Sequence, residues 1–188
     1  MKTAPGVLAG AIAVAALLGA RPLEAQRAAV ELHGGINVPT FDIADAAKAG
    51  PSFGGGLSVE VRPRVWLMAE ADFGSHGGAE LPGGGSGPDV DVAHFMGKVG
   101  YTAFRSADGR LAFLVNLGAG AMRFKVDGAE SGSTYFAINA GGKLTYAVGS
   151  RVDLVLSPQG DIAFTDEDEL GTSNAWIWPV SAGVRVRF

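Results

Sequence analysis

In eight stretches of about ten residues, large apolar side chains recur at every second position. A strand sends successive side chains to opposite faces, so this period of two predicts strands with one apolar and one mixed face. The first half alternates Val30, Leu32 and Ile36 with Glu31, His33 and Asn37; Phe53, Leu57, Val59 and Val61 with Ser58, Glu60 and Arg62; Val65, Leu67, Ala69, Ala71 and Phe73 with Trp66, Met68, Glu70 and Asp72; and Phe95, Val99 and Tyr101 with His94, Met96 and Lys98. In the second half, Leu111, Phe113, Val115 and Leu117 oppose Asn116 and small residues, with Leu114 breaking the pattern. Phe136, Ile138, Leu144, Tyr146 and Val148 then oppose Asn139, Lys143 and Thr145, and Val152, Leu154, Leu156, Ile162 and Phe164 oppose Asp153, Ser157, Gln159 and Asp161. The last stretch sets Trp176, Trp178, Val180, Val184, Val186 and Phe188 against Ser181, Gly183, Arg185 and Arg187.

The connections sort by length. Short ones fall at Arg62-Pro63-Arg64, at Ser106 to Gly109 with its Asp108-Gly109 hairpin signal, and at Gly149-Ser150-Arg151. Long ones run roughly over residues 38 to 51, 75 to 90, 126 to 135 and 165 to 175. An even number of strands, tight turns at one end and long polar loops at the other is the layout of a membrane-spanning barrel. The expected fold is all-β, an eight-stranded antiparallel up-and-down transmembrane β-barrel.

A soluble barrel with an apolar inside is the competing arrangement. Against it, the apolar parity is bulky at nearly every site, whereas the polar parity is rich in glycine, alanine and serine. An eight-stranded barrel is only just wide enough for side chains, so the small-residue face fits inside. The charges then enclosed are Glu31, Glu60, Arg62, Glu70, Asp72, Lys98, Lys143, Asp153, Asp161, Arg185 and Arg187. Burial without a partner costs several kcal/mol, so they are expected to form an interior ion-pair network. A hairpin centred near residue 170 places Asp153 opposite Arg187, and closure of the last strand on the first places Arg185 near Glu31. Phe73, Phe136, Phe164, Trp176 and Trp178 near the long loops, with Phe104 and Phe188 near the short turns, suit interfacial aromatic girdles.

Residues 1–25 read as a cleavable signal peptide: Met1-Lys2, then the apolar run "GVLAGAIAVAALLGA", then a small-residue exit with cleavage after Ala25, or after Ala20 as second choice. The run is short of the ~20 residues of a spanning helix, and no later stretch supplies one. The domain organisation is thus a signal peptide over 1–25 and one barrel domain over 26–188. Charged residues make up 18% with no basic cluster, which argues against nucleic acid as a partner. The absence of cysteine excludes disulfides, thiolate zinc sites and a lipidated cysteine.

From about Val30 to Phe188 the chain resembles the eight-stranded outer-membrane barrels of the OmpA and OmpX type, within the broad group of outer-membrane beta-barrel domain proteins. The ending "GVRVRF" resembles the terminal strand that the barrel-assembly machinery recognises, which implies that Phe188 is an assembly signal. The resemblance also implies export through the periplasm, residence in the bacterial outer membrane, and contact with its lipid and lipopolysaccharide. Larger OmpA-type proteins carry a peptidoglycan-binding domain after the barrel; none is expected here, where the chain stops.

The chemistry-bearing residues are few. His33 and His94 lie on the inward parity, where polar filling is the expected role, and Ser75-His76 are strand neighbours that point to opposite faces. The run Asp166-Glu167-Asp168-Glu169 lacks the calcium-loop spacing and reads as a solvated loop. "LPGGGSGPD" lacks the Lys-Ser/Thr of a phosphate loop and reads as a mobile loop. No catalytic residue, cofactor or metal site is expected. The expected function is that of a monomeric structural or surface-interaction barrel. A small gated channel or transporter is the first alternative, and a soluble secreted ligand-binding barrel the second.

Overall fold

The computed structural model describes residues 27–81 and 83–188; the predicted signal peptide lies outside the described residues. Eight strands follow one another: β1 (Ala28–Thr40), β2 (Gly50–Arg62), β3 (Val65–His76), β4 (Val90–Arg105), β5 (Leu111–Val126), β6 (Ser133–Ala147), β7 (Val152–Phe164) and β8 (Asn174–Arg187). Each pairs antiparallel with its neighbours in sequence. β1 also pairs with β8, from Ala29 opposite Arg187 to Thr40 opposite Trp176, closing the barrel. Closure leaves no edge strand, and so no row of unpaired backbone groups. The strands run 12 to 16 residues, longer than the expected ten and than the ~9–11 a tilted strand needs to span a bilayer. They extend past the hydrocarbon into what the sequence assigned to loops.

The tight turns are where the hairpin signals placed them, with Gly109 at φ 70 and Arg64 at φ 69. The long connections occupy 41–49, 77–89, 127–132 and 165–173. The first folds into a 3₁₀ turn over Phe41–Asp45 and bridges the second through Ala47 and Gly78. In the fourth, the acidic run forms a helical turn, α1 (Glu167–Leu170), whose Asp168 amide donates to the Asp166 side chain and which ends on left-handed Gly171.

Bulky residues of the apolar parity point outward: Leu32 is 71% exposed, Leu117 69% and Phe53 68%. Glu31, Glu70, Lys98 and Lys143 point inward and are buried. A continuous apolar belt around a polar centre is stable only where the surroundings are themselves apolar.

Two irregularities of register flip the alternation. Between Glu60 and Arg62 the β2–β3 pairing slips, and Arg62 comes opposite outward-facing Val65. Arg62 is therefore exposed on the rim, not enclosed as its parity predicted; one extra residue reverses the facing of everything beyond it. The same device between Thr102 and Phe104 turns Phe104 outward, opposite Phe113.

The inward face is also not polar throughout. Toward the long loops it holds an apolar cluster that includes Val90, Val92, Met96, Met122, Phe124 and Ile177, roofed by Ile43 of the first loop. Toward the short turns, Trp66 and Met68 pack with Leu114, so the residue that broke the pattern lies inside.

Candidate functional site: the barrel lumen

Between these two apolar layers lies a polar zone built by β1, β3, β4 and β6. Lys98 Nζ on β4 donates to Glu70 Oε2 on the adjacent β3 at 2.6 Å. From the far wall, Lys143 on β6 reaches Glu70 Oε1 at 2.6 Å and Glu31 Oε1 on β1 at 2.8 Å. The His33 ring lies between Glu31, 3.1 Å from Nδ1, and Asp72 at Nε2. A ring with a carboxylate acceptor on each nitrogen satisfies both only when both carry a proton. The string Lys98, Glu70, Lys143, Glu31, His33, Asp72 thus alternates in sign across the bore.

Glycines make room for these long side chains. A Cβ on Gly56 would lie 2.7 Å from Glu70 Cγ, and one on Gly118 2.7 Å from Lys98 Cγ. Small residues on the inward parity are therefore spacers for the charges facing them. Beside the main string, His94 Nδ1 lies 2.6 Å from Asp161 Oδ2, and Asn139 donates to the other oxygen of Asp161. Gln159 accepts from Lys98 at 3.4 Å and donates to Ser157 Oγ and Gly142 O. The void bounded by His33, Glu70, Asp72, Lys98, Gln159 and Asp161 measures about 10 Å³, room for one water at most.

The remaining charges predicted for the interior sit toward the short turns. Asp153 stands opposite Arg185, two residues from the expected register, yet its ion pair is the diagonal one to Arg187 at 2.9 Å; a two-residue shift preserves facing, and an arginine spans the diagonal. Arg185 does lie opposite Glu31 across the β1–β8 seam. Its guanidinium, however, rests 4.5 Å over the Trp66 ring, and Trp66 Nε1 donates to Thr102 Oγ1 at 3.1 Å. Glu60 is at the rim, 3.9 Å from Arg27, and accepts from the Arg64 amide at 2.8 Å.

Sequence reasoning placed His33, His94, Asn139 and Gln159 inside without joining them to the charges. The offset of two along a strand that separates His33 from Glu31 and Gln159 from Ser157 was an available signal; Asn139 instead faces Asp161 across the β6–β7 pair, and His94 reaches Asp161 across the lumen, which no local spacing marks. Ser75 faces outward while His76 is buried and donates from Nδ1 to the Lys48 carbonyl at 2.9 Å. Among the described residues no three His, Cys, Asp or Glu side chains converge as metal ligands.

On the outer wall, Phe73 lies 5.6 Å from Phe53 and 5.9 Å from Phe95, and Phe136 stacks on Phe164 at 6.0 Å. Trp178 is exposed and donates to Thr40 Oγ1 at 3.1 Å; Trp176 is half-buried, edge-on to Phe41 at 5.5 Å. Phe188 is exposed at the other end, its amide bonded to Ala28 O at 2.8 Å.

Solved structures share this architecture. The neisserial surface protein A aligns with a TM-score of 0.63 at 18% identity, over 87% of this chain and 96% of its own. The N-terminal barrel of OprF from Pseudomonas aeruginosa aligns at 0.55 and 14% identity, over 86% and 97%. A major outer membrane protein from Thermus thermophilus aligns at 0.54 and 13% identity, over 88% and 100%. At such identities the likeness is one of fold. No curated protein matches the sequence. The profile of the outer membrane protein beta-barrel domain matches residues 10–188, and the closed eight-stranded barrel agrees with it: the chain belongs to the outer membrane protein beta-barrel domain family.

Proposed function

We propose that this protein is a structural and surface-interaction barrel of the bacterial outer membrane, closed to diffusion and without catalysis. The observation that carries the reading is the blocked bore: Lys143 ties opposite walls together through Glu70 and Glu31, and an apolar layer closes each side. With about 10 Å³ free between the charges, no hydrated ion passes without breaking several buried ion pairs. A channel function would require that rearrangement, and the alternating charges favour the closed state.

In this reading residues 1–25 direct export and are removed, the terminal strand with Phe188 addresses the barrel-assembly machinery, and the barrel works as a monomer among outer-membrane lipid and lipopolysaccharide. The long loops face outward, where specificity resides. The test combines fractionation, gel mobility before and after boiling, and planar-bilayer recording. Expected are an outer-membrane protein whose mobility changes on boiling, and silent bilayers. Reproducible unitary current steps would establish a channel instead, and recovery in the soluble periplasm a secreted ligand binder.

A further inference from the structure

On the outer wall near the long loops, two adjacent rows of outward side chains differ in character. In the row nearer the loops, Ser75 stands opposite Asp91 and Asp91 opposite Lys125. In the next row toward the bilayer centre, Phe53 stands opposite Phe73, Phe73 opposite Ala93, and Ala93 opposite Arg123. Phe95 lies two residues further along β4 and touches Phe73. Ala93 offers a single methyl between Phe73 and Arg123, in a notch of about 590 Å³ that Phe53 and Lys125 also line.

Polarity is ordered along the barrel axis as it is in a lipid, with charged and hydroxyl groups above and aromatic rings below. The bases of the long-loop end are Lys48, Arg123 and Lys125, amid a surplus of carboxylates. Lys48 is 3.4 Å from Glu80. Within the described residues neither Arg123 nor Lys125 joins an ion pair. Asp91 offsets part of the Lys125 charge, so the attraction for an anion centres on Arg123, the base beside the aromatic floor. Guanidinium suits phosphate through paired charge-assisted hydrogen bonds. A zwitterionic phospholipid brings its own ammonium, whereas a phosphomonoester carries about −1.5 to −2 at neutral pH and gains most from these bases.

We propose that this notch binds one phosphorylated glycolipid of the lipid A class, with its phosphate on Arg123 and Lys125 and an acyl chain over Ala93 against the rings of Phe73 and Phe53. The inference rests on placement of the barrel in the outer membrane with its long loops outward. The experiment is native mass spectrometry of the full barrel released from phosphatidylcholine nanodiscs doped with either lipid A or phosphatidylglycerol. The wild type retains one lipid A and little phosphatidylglycerol. R123Q/K125Q loses at least about tenfold of that retention, as expected for lost charge-assisted hydrogen bonds. A93W, which fills the notch and keeps the charges, loses it too, whereas K48Q retains it. Equal retention by the wild type and R123Q/K125Q, or equal retention of the two lipids by the wild type, overturns the proposal. A barrel whose mobility changes on boiling but which holds no lipid A overturns the notch alone; a chain that never inserts overturns the membrane placement with it.

Discussion

Lys143 and Glu70 stand on strands separated by two others and meet at 2.6 Å in the middle of the bore. Both are almost wholly buried, so each depends on the other for the solvation it has lost. The contact braces opposite walls that share no backbone hydrogen bond.

Removing one partner of such a pair strands the other. Lys143→Met is expected to destabilise the barrel by about 3–5 kcal/mol, because Glu31 keeps only His33 and Glu70 only Lys98. The measurement is the temperature at which folded-band mobility is lost on gels. Combining it with Glu31→Leu, Glu70→Leu and Lys98→Met, so that removing Glu70 does not strand Lys98, should restore part of the loss, and a quadruple variant no more stable than Lys143→Met would refute the coupling.

The space for Glu70 is supplied by Gly56 on β2. Gly56→Val puts side-chain carbons where Glu70 Cγ lies 2.7 Å from even a Cβ, so the carboxylate is pushed from its lysines at a cost of about 1–3 kcal/mol. Gly149→Val, in a short turn with open space around it, is the control. Equal unfolding temperatures for the two variants would contradict the spacer role.

Much of this was legible in advance, and the failures share a cause. Strand number, facing and the closing pair of strands followed from the period of two, since Val184 and Leu32 announce their side by their neighbours alone. The cross-seam neighbours Glu31 and Arg185 followed from turn positions. What did not follow was which charge meets which through the lumen. Lys143 and Glu31 touch although 112 residues apart, and no local pattern encodes a contact made across a cavity. Arg62 was misplaced because a bulge leaves no mark in the alternation it reverses. The apolar roof went unseen because Ile43 comes from a loop, where facing has no period to read.

Two apolar layers and the string between them predict how the bore opens. Met122→Ala with Phe124→Ala thins the upper layer, Glu70→Ala with Lys143→Ala clears the string beneath it, and Trp66→Ala with Leu114→Ala thins the lower layer. Each pair alone should stay silent in planar bilayers, while all six together should give unitary currents. Current from the first pair alone would show that the ion pairs do not block the bore.

The β4–β5 turn gives a titration that lies outside the membrane. Hydrogen bonds from the Ser106 hydroxyl at 2.6 Å and the Arg110 amide at 3.1 Å hold the Asp108 carboxyl below its ordinary 3.8. A depressed native value means that the contribution to the turn is fully present above 3.8 and is lost as pH falls through the lower native value. Carbon-detected NMR titration should place Asp108 below 3.8 in the wild type and closer to it in Ser106→Ala. An unchanged midpoint would remove the hydroxyl as the cause.

The seam from Ala29–Arg187 to Thr40–Trp176 joins the first strand to the last. A chain halted before β8 would therefore own seven strands and two raw borders, each a template for joining another copy. The pairing that removes those borders joins the two ends of the chain, so it waits for the final segment and carries the largest loop-closure cost of any in the barrel.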